Sequence, residues 1–403
     1  MTVVWALAAL WFCLALVASL ASHWLHISAA LAEVVVGIVI GTIAELSLGA
    51  TIAPSALGTD ESWVKFLSGV GVILLTFLAG AELDPDVLKL KWKEAAAVGL
   101  ASFFVPFLVC AAAAHYLIGW EIMPSWLAGV ALGGTSVAIV YTEMMQHGLN
   151  STDYGKTLLG ACFITDLATV VALGLIFAPF TLKTLIFVVV VAFCFFALPW
   201  LTPRLFKLFG GRPFELETKF LILCLLGMGA LATWADSEAV LPAYIIGMVL
   251  ARTVGRDHAL VRRLRTVTFG LLTPFFFIRA GYLVSISAVI AASTAFGFLL
   301  AAKILAKTVS VYTVAKYHDS SHKEGMYSAL LMASGLSFGT IAALFGLSHG
   351  IIDKSQYSAL VAAVIGSGII PTLIASNLYL PRHLIVEPQQ VVLREARRAD
   401  GLV

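Results

Sequence analysis

The sequence predicts an all-α polytopic membrane protein with about thirteen transmembrane helices, and three observations carry that prediction. Hydrophobic residues make up 60% of the 403-residue chain and charged residues only 12%, about half the charge of a typical soluble domain. The apolar residues fall in long runs, each close to the ~20 residues a helix needs to cross a hydrocarbon core of about 30 Å. The runs are continuous and lack the alternation of a membrane barrel, and a lipid environment offers the backbone only a helix or a closed barrel.

In order, the runs lie at approximately 2–22, 27–46, 63–81, 94–118, 125–146, 156–180, 182–202, 217–235, 238–252, 262–283, 286–316, 324–347 and 356–380. The first resembles a signal peptide in length, but signal peptides open on basic residues, and the first Lys or Arg here is Lys65. It therefore counts as a span. The second run carries Glu33, and the third ends at Glu82. The fifth is interrupted by Gly133-Gly134-Thr135-Ser136 and carries Glu143 near its end. Asp166 lies in the middle of the sixth. The ninth is short and the eleventh long. The tenth contains Arg279, the eleventh Lys303 and Lys307. The twelfth is interrupted by Ser334-Gly335-Leu336-Ser337-Phe338-Gly339-Thr340.

The loops orient the chain. Those after the odd-numbered segments up to the eleventh, with the C-terminal tail, hold 19 of the 25 Lys and Arg, and the other loops hold three. By the positive-inside rule the N-terminus faces outside and the C-terminus the cytoplasm. The net charge of +2 and the lack of a basic patch with interleaved aromatics argue against nucleic acid. All five cysteines lie inside apolar runs and read as small packing residues, not as a disulfide framework or metal site.

Segments 2–6 and 9–13 form two five-helix units that enter the membrane in opposite senses, the arithmetic of an inverted repeat. Both broken segments are the fourth of their unit. Paired interruptions in corresponding positions point to a transporter binding site, because unwound backbone offers carbonyls to a cation and half-helix ends offer dipoles.

Asp166 is the residue around which these features gather. A mid-membrane carboxylate costs roughly 2.5–3.5 kcal/mol on insertion scales and is by default a functional residue. In a wet cavity it can hold a proton or a small cation, and the two exclude each other. Thr165 precedes it and Thr169 follows one turn later; a threonine hydroxyl there either serves as a ligand or bonds back to the i−4 carbonyl. Lys303 and Lys307 share one helical face and are placed to pair with Asp166, to hold a half-helix carbonyl end, or to snorkel. Arg279 is placed to snorkel outward or to pair with Glu33 or Glu82.

Other functions compete. Gly335-Leu336-Ser337-Phe338-Gly339 matches G-x-S-x-G, the serine-hydrolase elbow. The elbow requires a strand, however, and Ser337 would need a histidine base, whereas His147 and His349 sit at segment ends. A passive channel lacks a carbonyl filter motif. A sodium-coupled solute symporter would need room for an organic substrate. The chain is not expected to be an enzyme.

The stretch 77–85 (FLAGAELDP), the stretch 133–140 (GGTSVAIV), an aspartate amid the sixth helix, the stretch 274–281 (PFFFIRAG), Lys307 seventeen residues before Glu324 and the glycine-broken twelfth segment together resemble the monovalent cation:proton antiporters. The likeness covers about residues 5–380 and is to the second branch, which holds bacterial Na+/H+ antiporters and Kef-type K+/H+ systems. It implies a single transporter unit over 1–403. A mobile core would span about 94–180 and 286–380, and a dimerisation or scaffold domain about 1–93 and 182–283. The tail, 382–403, is expected to be a short cytoplasmic segment without a regulatory domain. It implies a homodimer in the lipid of a cytoplasmic membrane, elevator-like movement and no cofactor beyond the transported H+ and Na+ or K+; a separate regulatory subunit is left open. Asp166 matches the ion-binding aspartate, Thr135 and Ser136 the unwound stretch, and Lys307 the basic residue of the eleventh helix, with Lys303 as fallback. Two departures matter. Thr165 stands where relatives carry Asp, Asn or Gln, so one carboxylate implies electroneutral 1:1 exchange. The second break lacks the acid of many relatives, which leaves Na+ and K+ unseparated.

Overall fold

The computed structural model describes residues 2–25, 28–48, 57–81, 91–147, 149, 152–177, 181–209, 215–235, 239–255 and 257–384. Among them all regular structure is helical. The helices are α1 (Thr2–Leu25), α2 (Ala29–Leu48), α3 (Ser62–Ala81), α4 (Trp92–Ala112), α5 (Ile122–Gly133), α6 (Val137–Gln146), α7 (Asp153–Phe177), α8 (Leu182–Phe209), α9 (Leu216–Trp234), α10 (Val240–Leu250), α11 (His258–Val267), α12 (Thr273–Tyr282), α13 (Ile286–Ala291), α14 (Ser293–Tyr317), α15 (His322–Ala333), α16 (Ser337–Ser348) and α17 (Lys354–Ile374).

Among the described residues each of the thirteen apolar runs is helical, the fifth and twelfth with a break. Ten helical stretches among the described residues are long and apolar enough to cross a membrane, and Ile122–Gly133 and Val240–Leu250 are shorter apolar helices. The run at 262–283 passes from α11 into α12 through a π turn, Thr268–Leu272. The cause is local: Pro274 has no N–H to return to the carbonyl one turn back, so the ladder widens just before it. The long eleventh run bends at Ala292 (φ −101°, ψ 31°), which separates α13 from α14.

Polar residues at the ends of the runs start the helices. Ser321 and Glu324 form a capping box at α15, and Asp353 and Gln356 form another at α17. Asp257 accepts hydrogen bonds from Ala259 N and Leu260 N at the start of α11. Each such cap satisfies amide donors that the first turn leaves open.

Two packed regions matter for the site. Around one core, buried side chains of α4, α5, α7, α16 and α17 interdigitate, including Phe103, Phe107, Leu132, Val170, Phe338 and Leu360. Around another, side chains of α3, α8, α9 and α10 meet, including Phe77, Phe187, Leu225 and Ile246. Helices surrounded by lipid gain little from hydrophobic burial against each other and associate by close packing. The α3–α10 crossing shows how close: a Cβ on Gly80 would overlap the Tyr244 carbonyl oxygen, and one on Gly247 would overlap the Phe77 carbonyl oxygen. The two backbones touch, so α10 is held fast against α3.

Candidate functional site

Both interrupted segments unwind where their glycines lie. α5 ends at Gly133 and α6 begins at Val137; α15 ends at Ala333 and α16 begins at Ser337. Gly134 (φ −65°, ψ 156°) and Ser334 (φ −66°, ψ 127°) are extended. The two unwound tripeptides cross and bond to each other. Ser136 N donates to Ser334 O at 2.9 Å, and Thr135 Oγ1 donates to Met332 O at 2.9 Å. The crossing brings together two helix C-termini, with carbonyls lacking intrahelical partners, and two helix N-termini, with amides lacking theirs.

Lys307 serves one of those carbonyl ends. Its ammonium, fully buried on α14, donates to Gly134 O at 3.0 Å, to Thr135 Oγ1 at 2.6 Å and to Ser102 Oγ of α4 at 3.2 Å. An ammonium has three N–H donors, and all three are used. A cation at a helix C-terminus is favourable, more so when partly or fully buried. Lys303, one turn earlier and equally buried, lies against Gly335, where a Cβ would overlap its Nζ. Its ammonium has no hydrogen-bond partner among the described residues. A side chain at Gly335 would displace the Lys303 ammonium and press on the Gly134 carbonyl.

Asp166 sits on α7 and is 2% exposed. Lys307 and Tyr244 both lie within electrostatic reach of it. No ion pair joins it to either lysine among the described residues, because Lys307 is committed to the crossing. Asp166 Oδ1 and Ser136 Oγ are both buried without a hydrogen-bond partner among the described residues. An unpartnered buried oxygen is costly, and here two of them belong to residues singled out as candidate ligands.

The remaining candidates are placed as follows. The Thr165 hydroxyl has two backbone acceptors, Gly99 O of α4 and Ala161 O of its own helix, both at 3.0 Å. It fastens α7 to α4. Thr169 Oγ1 donates to Thr165 O at 2.8 Å and lies close to Gly134. Glu33 is buried in α2, and its Oε2 has no partner. Arg279 does not pair with Glu33: its Nε donates to Thr59 O at 3.0 Å, in the turn before α3. Glu82 lies outside the described residues. Ser337 is the first residue of α16 and follows an unwound tripeptide, not a strand.

Sequence reasoning missed two participants. Ser102 accepts from Lys307, and its only signal was a hydroxyl inside an apolar run. Tyr244, fully buried on α10, donates its hydroxyl to Phe163 O of α7 at 3.0 Å. Nothing in its local sequence marks it.

The family model described as "Sodium/hydrogen exchanger, transmembrane" matches residues 41–378. A Na(+)/H(+) antiporter of Enterococcus hirae is 28% identical over 360 residues, covering 82% of this chain and 90% of that protein. The Na(+)/H(+)-K(+) antiporter GerN of Bacillus cereus is 25% identical over 346 residues, covering 80% of this chain and 86% of that protein. Among solved structures, the sodium proton antiporter MjNhaP1 of Methanocaldococcus jannaschii at pH 8 superposes with a TM-score of 0.68 and 16% identity, covering 94% of this chain and 97% of that one. The last likeness is one of fold.

Proposed function

The chain belongs to the sodium/hydrogen exchanger family, and on that premise we propose that it is a cation:proton antiporter in which one carboxylate, Asp166, carries both ions in turn. The observation that supports this most is the state of Asp166: buried and, among the described residues, without a salt bridge and with one oxygen unpartnered, within electrostatic reach of the lysine that holds the crossing of two broken helices.

The mechanism follows from charge. Ionised and empty, Asp166 is an uncompensated charge in a water-poor setting, and moving it against an apolar surface is costly. With a proton or a monovalent cation bound, its charge is neutralised and the penalty falls. A core comprising about residues 94–180 and 286–380 then slides past a scaffold comprising about 1–93 and 182–283, exposing Asp166 to one side and then the other. Because proton and cation compete for the same oxygen, each crossing exchanges one for the other.

Ser136 is the neutral ligand of this reading, since its hydroxyl is buried and uncommitted. Thr135 has its hydroxyl engaged by Met332 O and Lys307 and shapes the crossing instead. Lys307 is a fixed charge that holds the α5 carbonyl end, not a carrier. With one carboxylate titrating, the exchange is electroneutral, 1:1. Na+ and K+ are both hard cations served by oxygen ligands, and both are proposed substrates. The protein works as a homodimer in the cytoplasmic membrane, N-terminus outside and C-terminus inside.

The test uses proteoliposomes containing a pH-sensitive dye, with Li+, Na+, K+ and Rb+ added in turn, with and without an imposed voltage. Cation-driven proton movement that is insensitive to voltage and absent in Asp166→Asn is expected. Exchange that survives in Asp166→Asn, with the variant folded, removes Asp166 from the role. A voltage-dependent rate refutes the 1:1 count.

A further inference from the structure

A cavity of about 500 Å³ lies among α3, α9, α10, α12 and α16. Its walls come from α3, α9, α10 and α12 on one side and α16 on the other, with Lys65 and Arg279 at the end where the turn before α3 lies. The charge count places that end outside. Val240 and Ile341 line the cavity. One turn further along these same helices lie Tyr244 on α10 and Phe338 on α16, packed edge to face with ring centroids 6.1 Å apart. Phe338 also lies close to Gly134 at the crossing. The pair therefore stands between the cavity and the Asp166 region.

Tyr244 is mounted in an unusual way. Its backbone carbonyl is at the point of contact between α3 and α10, where Gly80 admits it without a side chain between. Its base cannot shift without separating those helices. Its hydroxyl reaches the other way, to Phe163 O on α7, three residues before Asp166. One side chain thus joins the α3–α10 pair to the helix that carries the ion-binding candidate, and it is fully buried in doing so.

We propose that Tyr244 is the barrier between this cavity and Asp166: its ring, packed on Phe338 one turn beyond the Val240 and Ile341 walls, blocks the way inward, and its hydroxyl bridges to α7, so the bridge breaks whenever α7 moves past α10. The inference rests on the antiport reading above. It assigns the ring and the hydroxyl separate tasks, and two substitutions separate them. Tyr244→Phe keeps the ring and removes the bridge. Tyr244→Ala removes both.

The test is accessibility. In a background with Cys13, Cys110, Cys162, Cys194 and Cys224 replaced, Asp166→Cys is introduced as a reporter in right-side-out and everted membranes. A membrane-impermeant cationic methanethiosulfonate is added. From the side that carries Lys65, the reporter should react at least about tenfold faster with Tyr244→Ala than with Tyr244, a factor equal to about 1.4 kcal/mol off a barrier. Tyr244→Phe should react within about twofold of the parent, which also shows that the fold tolerates change at this position. Equal rates for Tyr244 and Tyr244→Ala would overturn the proposal, as would Tyr244→Phe reacting as fast as Tyr244→Ala. Exchange is measured separately with Asp166 intact. Tyr244→Phe should still exchange, with a rate altered about two- to tenfold by the lost hydrogen bond; an unaltered rate overturns the bridge. If the parent protein performs no cation:proton exchange at all, the antiport reading fails, while the labelling pattern still decides whether Tyr244 is a barrier.

Discussion

Lys303→Met and Lys307→Met should differ clearly in stability, although the two lysines are one turn apart and equally buried. Methionine keeps most of the length and volume of lysine, so cavity and overpacking costs stay small. Both substitutions remove a buried ammonium and recover its desolvation penalty, several kcal/mol in each case. That contribution is shared and cancels in the comparison. What differs is bonding. Lys307 donates to Gly134 O, Thr135 Oγ1 and Ser102 Oγ at 3.0, 2.6 and 3.2 Å, and Lys303 Nζ donates to nothing. Hydrogen bonds from a charged donor contribute about 1.5–3 kcal/mol each. Their loss is not additive, because Thr135 keeps Met332 O and the Ser102 hydroxyl can turn. The Gly134 carbonyl, at a helix C-terminus, suffers most. Lys307→Met should therefore be the less stable variant by about 3 kcal/mol, while Lys303→Met should match or exceed the parent. Thermal melts of purified protein, followed by tryptophan fluorescence and monitored by size exclusion, measure the order directly. If Lys303→Met melts below Lys307→Met, the assignment of the crossing to Lys307 is refuted.

Three further outcomes follow from the same geometry. Thr165→Val should lose about 1 kcal/mol of stability through the Gly99 and Ala161 bonds yet retain cation:proton exchange; a vesicle assay showing loss of exchange in a folded variant would make the hydroxyl a ligand. Ser136→Ala should raise the apparent KM for the cation by roughly tenfold, corresponding to one lost ligand oxygen, with Asp166 still able to take up a proton; an unchanged KM rules Ser136 out. Because proton and cation compete for one site, the apparent cation KM should rise as pH falls, by up to about tenfold per pH unit once the protonated form dominates, and dye-dequenching titrations between acid and alkaline pH will show a flat KM if the two ions bind at separate sites.

The parts of the site that were legible in advance share a cause. Glycines and small polar residues inside apolar runs advertise unwinding, and the structure unwinds at 134–136 and 334–336. Asp166 stood out because its insertion cost depends on its depth in a run, which is readable along the chain. Thr165 was legible only as a choice between ligand and back-bonding hydroxyl, and the choice depended on Gly99, a residue 66 positions away. Periodicity places Lys303 and Lys307 on one face and does not separate them, and the family resemblance alone favoured Lys307; what separates them physically is where the carbonyl of Gly134 lies. Arg279 was left between snorkelling and two acids, and among the described residues it meets the Thr59 carbonyl and not Glu33. Tyr244 carried no signal, since tyrosine is ordinary in a short apolar run.

By itself the sequence determined that the chain is a helical membrane protein of about thirteen segments, where two of those segments break and which acid is anomalous. These are properties of transfer into lipid and of local backbone preference, and both are settled within one helix length. Only the tertiary structure decided which lysine holds the crossing, which buried hydroxyl at the crossing is left uncommitted and which tyrosine joins α10 to the helix of Asp166. Hydrogen bonds act over about 3 Å, and their partners here lie from 66 to 205 residues apart in the chain. Packing alone brings them within that range.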